Sequence, residues 1–211
     1  MDLRKETGVM RLEYDDATHT YLVDGVKYPS VTEVLPKQPG HDFVSADRMA
    51  QTSEDGKYRH HRISRHLLRA DGEEVSEISG LEVGVDRFIS KHPEFGAFVG
   101  SEKILVSRFR YAGTADILFE NAVVDVKRTI GNKRIHSLQC AGYHAAAVET
   151  GIIRRNQNWW ILQIDDDGKY KAVNVFNALA EPLFLSLVKA WWNPEQYRAA
   201  TDAAVNQYIN S

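Results

Sequence analysis

One cysteine, Cys140, occurs in 211 residues. That excludes an intramolecular disulfide framework and any iron–sulfur cluster held by four thiolates of this chain. No stretch approaches the roughly 18 consecutive apolar residues of a membrane span. The opening Met1-Asp-Leu-Arg-Lys-Glu6 has no apolar segment of the secretory kind. A soluble, cytoplasmic protein with no membrane partner is therefore expected. Basic excess is also missing: the net charge is −3, so any surface for nucleic acid must be local rather than global. What is present is 43% hydrophobic and 26% charged residues, enough apolar material for a substantial core and unlike a disordered tail. The length suits one large domain or a domain with an appendage; we read residues 1–211 as a single domain.

Residues 11–28 read as a β-meander, with Asp24-Gly25 as a turn. In Pro29-Ser-Val-Thr-Glu33, Ser30 is placed to cap a helix, with Glu33 as its capping-box partner. Lys37-Gln-Pro-Gly-His41 should break the chain. A long helix is expected over 44–70, interrupted near Asp55-Gly56 and ended by Asp71-Gly72. Another is expected over 81–92, stopping at Pro93. Strand-like segments follow at 101–109, 114–119 and 122–127, then an Ala-rich helix from Ile135 to Glu149. A second hairpin, 158–164 with 170–176, surrounds Asp165-Asp-Asp-Gly168. From about 179 onward the chain reads as helical, with a break at Asn193-Pro194. This order predicts an α/β fold, a central mixed β-sheet flanked by helices.

The most informative stretch is Tyr111-Ala-Gly-Thr-Ala-Asp-Ile-Leu-Phe-Glu-Asn-Ala-Val-Val-Asp-Val-Lys127. With Glu120-Asn121 as a two-residue turn, Phe119 pairs with Ala122, Leu118 with Val123, Ile117 with Val124, and Asp116 with Asp125. Two carboxylates then face each other among apolar neighbours, and Lys127 points to the same side. Like charges so placed need a cation, a shared proton or water. A divalent metal answers that need, and hard oxygen ligands suit Mg2+ or Mn2+ rather than zinc. The plainer alternative is a pair of solvated strand carboxylates with Lys127 in an ordinary salt bridge. In the preceding helix, phase at 100° per residue puts His60 with Ile63 and Leu67 on the inward face and leaves His61 off it. Arg62, Arg65 and Arg69 gather on the opposite side with Tyr58. Residues 57–69 contain no acid, so this stripe is a candidate phosphate-binding surface as well as an ordinary solvated face.

Gly113-Thr-Ala-Asp116, Asp125-Val-Lys127 and Gln139-x-x-x-Tyr143, in that order, resemble the PD-(D/E)xK nuclease superfamily, in particular its RecB-like and phage exonuclease branch. Gly56-Lys-Tyr-Arg-His60 resembles the Gly-x-x-x-His element of the same branch, and Glu102 stands where an additional acid often occurs. The segments His19-x-Tyr21-x-x-x-Gly25 and Pro29-Ser-Val-Thr32 are similar to the opening of phage exonucleases and of a mitochondrial genome-maintenance exonuclease. The resemblance implies a restriction-endonuclease-like core and a Mg2+ or Mn2+ site made by Asp116, Asp125, His60 and Glu102. It makes Asp116, Asp125 and Lys127 catalytic, with Lys127 orienting or activating water. It assigns Gln139 and Tyr143 to the DNA backbone or to bracing the site. The implied activity is exonucleolytic hydrolysis of DNA with a free end, in phage DNA processing or recombination, alone, as a homo-oligomer or with a recombination partner. A structure-specific endonuclease and a catalytically inactive DNA-binding relative remain as alternatives.

Overall fold

Ile117-Leu-Phe119 and Ala122-Val-Val124 are apolar at every position, the pattern of strands covered on both faces, and they form the middle of the fold. The computed structural model describes residues 11–16, 18–36, 46–69 and 79–211. The expected break at Lys37–His41 and the stop at Asp71-Gly72 lie outside the described residues.

A small antiparallel sheet comes first, with β1 (Leu12–Asp15), β2 (Thr20–Val23) and β3 (Val26–Tyr28) in that order. Asp24 and Gly25 both have left-handed φ, 51° and 78°, as a two-residue hairpin turn of type I′ requires. The capping box forms as its residues suggest: Glu33 Oε2 accepts from the Ser30 amide at 2.7 Å, and Ser30 Oγ accepts from the Glu33 amide at 3.0 Å. It closes a turn over 31–34, however, and not the expected helix. The backbone here is already committed to the main sheet, where Val31 donates to the Ala112 carbonyl at 2.8 Å and Ala112 to the Pro29 carbonyl at 3.0 Å.

The helix α1 (Ala46–Leu67) runs through Asp55 and Gly56 without the expected interruption. A mid-helix glycine costs only about 1 kcal/mol relative to alanine, and the ion pairs of Asp55 and Arg59 described below hold this turn from outside the helix. Next come α2 (Gly80–Ser90) and a short 3-10 turn at Pro93–Phe95. The main sheet has the order β4 (Phe98–Ser107), β5 (Tyr111–Phe119), β6 (Ala122–Val126), β7 (Trp159–Ile164), β8 (Tyr170–Asn174). All neighbours are antiparallel except β6 and β7. That parallel pair needs a long crossover, which α3 (Lys133–Glu149) supplies. The chain ends in α4 (Ala180–Trp192) and α5 (Pro194–Asn210), separated at Asn193-Pro194 as expected.

Period-two alternation divides the core into two layers. Leu118, Val123 and Ile161 pack with Leu138 and Ala141 of α3 and with Phe184 of α4. Ile117, Phe119, Val124 and Leu162 pack with Ile63 of α1 and with Val85 and Phe88 of α2. A mixed sheet between two helical layers is thus the observed architecture. No helix among the described residues is long and apolar enough to cross a membrane.

Candidate metal centre

The β5–β6 ladder keeps the deduced register through Phe119–Ala122, Leu118–Val123 and Ile117–Val124 and then opens. Asp116 and Asp125 are the next facing positions. Instead of a backbone rung, Asp116 Oδ2 accepts a hydrogen bond of 2.6 Å from the Val126 amide, so a side chain fills the fork between the strands. Across β4, Ser101 Oγ donates to the Asp116 carbonyl at 2.6 Å. Both carboxylates are buried, Asp116 at 7% exposure and Asp125 at 0%.

Three groups converge there. One ligand atom each from His60, Glu102 and Asp116 lie within 4.8 Å of one another. His60 Nδ1 is 3.3 Å from Glu102 Oε1 and 3.3 Å from Asp116 Oδ1. The other ring nitrogen, Nε2, lies 3.1 Å from the Val126 carbonyl, which fixes the ring as a hydrogen-bond donor on that side. Helical phase therefore named the inward histidine correctly, and His61 is exposed. Glu102 reaches the cluster from β4 with a left-handed backbone, φ 50°. A non-glycine residue pays on the order of 1 kcal/mol for that conformation, a strain of the kind that gathers at functional sites.

Asp125 stands beside this triad rather than within it. Its Oδ1 accepts from Lys127 Nζ at 2.9 Å, and Oδ2 lies 2.7 Å from the same ammonium. Oδ2 is buried and, although ion-paired, receives no aligned hydrogen bond among the described residues. Burial pushes the Asp125 carboxyl up to about 6, helped by the charge of Asp116 and opposed by Lys127. For Asp116 burial acts the same way, but the His60 imidazolium outweighs it, with Lys127 and the Val126 amide adding to the effect, and its carboxyl falls below the usual range. The Asp116 charge in turn raises His60 to about 11 against the opposing effect of burial. Lys127 is raised because Asp125 and Asp116 together exceed its desolvation.

This donor set fits a hard divalent cation. Carboxylate oxygens and one imidazole suit Mg2+ or Mn2+, and the buried Asp125 oxygen without an aligned donor has lone pairs to offer. Charge also balances. Three carboxylates and one ammonium leave two negative charges once His60 gives up its proton, which is the charge of one such ion.

The other predicted residues fall into different surroundings. Gln139 and Tyr143 are buried on the inner face of α3, where Gln139 Nε2 donates to the Tyr143 hydroxyl at 3.3 Å. Burial and mutual bonding are the geometry that the bracing alternative needs. A Cβ on Gly113 would come within 2.8 Å of Tyr143 Cε1 and 2.9 Å of Val31 Cγ2. Gly113 thus lets the Tyr143 ring press against the β5 backbone three residues before Asp116. Arg62 does not point freely outward: its Nε is 3.3 Å from Glu82 Oε1, in the first turn of α2, and it donates to the Tyr58 hydroxyl. Arg65 is exposed and Arg69 half-buried, so the expected stripe reduces to those two.

Sequence reading missed the brace that holds α1 in phase. Arg59 donates to Asp166 at 2.7 Å and to the Ile164 carbonyl at 3.1 Å, and pairs with Asp55 at 3.4 Å. Asp55 also receives Arg128 at 3.1 Å, which ties the residue after Lys127 to the helix that carries His60. The i, i+4 spacing of Asp55 and Arg59 was the one local signal; the partners Ile164, Asp166 and Arg128 are distant in sequence. Tyr21, named in the sequence only as part of His19-x-Tyr21-x-x-x-Gly25, has its hydroxyl 2.8 Å from Thr114 Oγ1, two residues before Asp116. No protein-family model matches the chain, and no curated protein is similar enough to match it.

Proposed function

We propose that the protein is a metal-dependent deoxyribonuclease, acting as an exonuclease, of the kind that the PD-(D/E)xK resemblance implies. The observation that carries this reading is the convergence of His60, Glu102 and Asp116 beside the buried Asp125–Lys127 pair. Asp116, Glu102 and His60, with Asp125 adjacent, would hold Mg2+ or Mn2+. Such an ion supplies Lewis-acid polarisation of a phosphate and a bound water of lowered pKa. The protein's own groups do the rest. Lys127 stays an ammonium because two carboxylates face it, and it is part-exposed, with 26% of its side chain accessible. It can therefore donate to an incoming water or to a phosphate oxygen while Asp125 fixes its direction. The Val126 amide and Ser101 hydroxyl lock Asp116 so that its Oδ1 faces His60 and Glu102. The brace of Arg59, Asp55 and Arg128 holds α1 in the rotation that presents His60.

The test is cleavage of end-labelled single- and double-stranded DNA with Mg2+ or Mn2+ and with chelator, beside Asp125→Ala and Lys127→Ala. Cleavage that needs the metal and falls by at least about 100-fold in both variants is expected, the scale of removing a positioned proton-transfer or charge-stabilising group. Variants that digest DNA as fast as the parent would overturn the assignment. Covalently closed circular DNA separates the exonuclease from an endonuclease on the same scaffold, since an exonuclease leaves it intact.

A further inference from the structure

The β4–β5 turn and the last turns of α4 border a cavity apart from the acidic centre. It measures about 210 Å3 and is lined by Phe109, Arg110, Lys189 and Trp192 over Leu185 and Val188. None of its described lining residues is acidic, although the chain as a whole carries a net charge of −3. The Arg110 guanidinium lies 4.0 Å from the Trp192 ring centroid and 5.9 Å from that of Tyr28. Trp192 Nε1 donates to the Arg110 carbonyl at 2.9 Å, and the Tyr28 ring meets Trp192 edge-on at 6.2 Å. Phe109 is 40% exposed, with the Arg108 guanidinium 5.1 Å from its ring centroid. Lys189 is exposed and has no carboxylate partner among the described residues.

A purely internal role accounts for the contact of Arg110 with Trp192, which pins the turn to α4. It does not account for the rest. Arg110 keeps a left-handed backbone, φ 65°, where glycine would be unstrained. A part-exposed aromatic ring, Phe109, with two cations and no acid makes a surface for a flat ring joined to an anion. We propose that this cavity binds a base and the adjoining phosphate of single-stranded DNA, the base stacking on Phe109 and the phosphate lying between Arg110 and Lys189. The ligand is a single strand because a duplex keeps its bases stacked inward, whereas an unpaired base offers its face. From Tyr111, the residue after Arg110, to Asp116 the chain advances five residues along β5, roughly 16 Å at about 3.3 Å each. The cavity is therefore a remote subsite, several nucleotides from the acidic centre. It deepens the nuclease reading and rests on it for the choice of DNA as ligand.

The test uses the full chain in chelator, so that nothing is cleaved, and follows the anisotropy of a labelled long oligothymidylate. Arg110→Gly removes the cation but keeps the left-handed turn, and Lys189→Gln changes only an exposed helical side chain. Each should weaken binding by about tenfold, the order of one lost stacking or charged contact, and lower the salt slope by about one phosphate. Wild-type affinity in both variants overturns the proposal, as does a parent protein that does not bind the oligonucleotide. Duplex DNA bound as tightly, with the same dependence on both residues, overturns the single-strand assignment. If Arg110→Gly fails to fold, Lys189→Gln decides alone. Binding that depends on both residues in a protein that cleaves no DNA would sink the nuclease reading and leave this site standing.

Discussion

Asp125→Asn removes the charge that the fold tolerates least. Burial moves the carboxyl from 3.8 to about 6, and at 1.36 kcal/mol per unit an ionised Asp125 costs about 3 kcal/mol in the native state. Between about pH 4 and pH 6 the folded chain holds a proton that the unfolded chain has lost, so stability falls as pH rises through this window. Asp116 does not interfere: its lowered carboxyl contributes stability that is present above its ordinary value of 3.8 and is lost below it. Nor does His60, raised from 6.5 to about 11, whose contribution is complete below 6.5 and is lost only as pH rises toward 11. His136 runs the other way. Burial, helped by Lys127, lowers it from 6.5 to about 4, so its contribution grows with pH across the same interval. The informative quantity is therefore the difference between parent and Asp125→Asn, measured by urea denaturation in chelator across pH. It should change by about 3 kcal/mol in favour of the variant between about pH 4 and pH 6. The ion pair with Lys127 is already contained in the Asp125 value of about 6, so its loss adds no further tilt there. Mn2+ at about 100 times its Kd should then stabilise the parent by about 2.7 kcal/mol and the variant by less. Parallel pH curves, or equal stabilisation by Mn2+, would refute both the buried charge and its place in the site.

Glu102→Gly should relieve the left-handed backbone, raising thermal stability or leaving it unchanged within about 1 kcal/mol, while Mn2+ affinity drops at least about tenfold; calorimetry of both quantities checks this, and a variant that binds Mn2+ as the parent does removes Glu102 from the site. Because His60 carries a proton up to about pH 11 without metal, cation binding should release close to one proton near neutral pH. Titrations in two buffers of different ionisation enthalpy will measure it, and a buffer-independent heat would show that His60 is not a ligand.

Much of the centre was legible locally. The two-residue turn at Glu120-Asn121 determined the register of Ile117-Leu-Phe119 against Ala122-Val-Val124, because side chains alternate strictly and the turn leaves no slack. Helical phase separated His60 from His61 because Ile63 marks the buried face. Local signals failed where backbone was claimed from afar. The Ser30–Glu33 box was real but closes a turn, since Pro29 and Val31 pair with Ala112 far along the chain. Gly56 did not interrupt α1, because Asp55 and Arg59 anchor that turn to Arg128 and Asp166.

By itself the sequence determined which residues are acidic, basic or apolar at each step of the strand and helix periods, and hence the α/β alternation and the facing of Asp116 toward Asp125. Only the tertiary structure decided that the ladder opens between them, that Asp116 turns to the Val126 amide, and that His60 and Glu102 complete the triad while Asp125 stays with Lys127. Periodicity sets the direction of a side chain along its own element. Which groups meet is set by how separate elements pack, and there the burial of charge selects the partner.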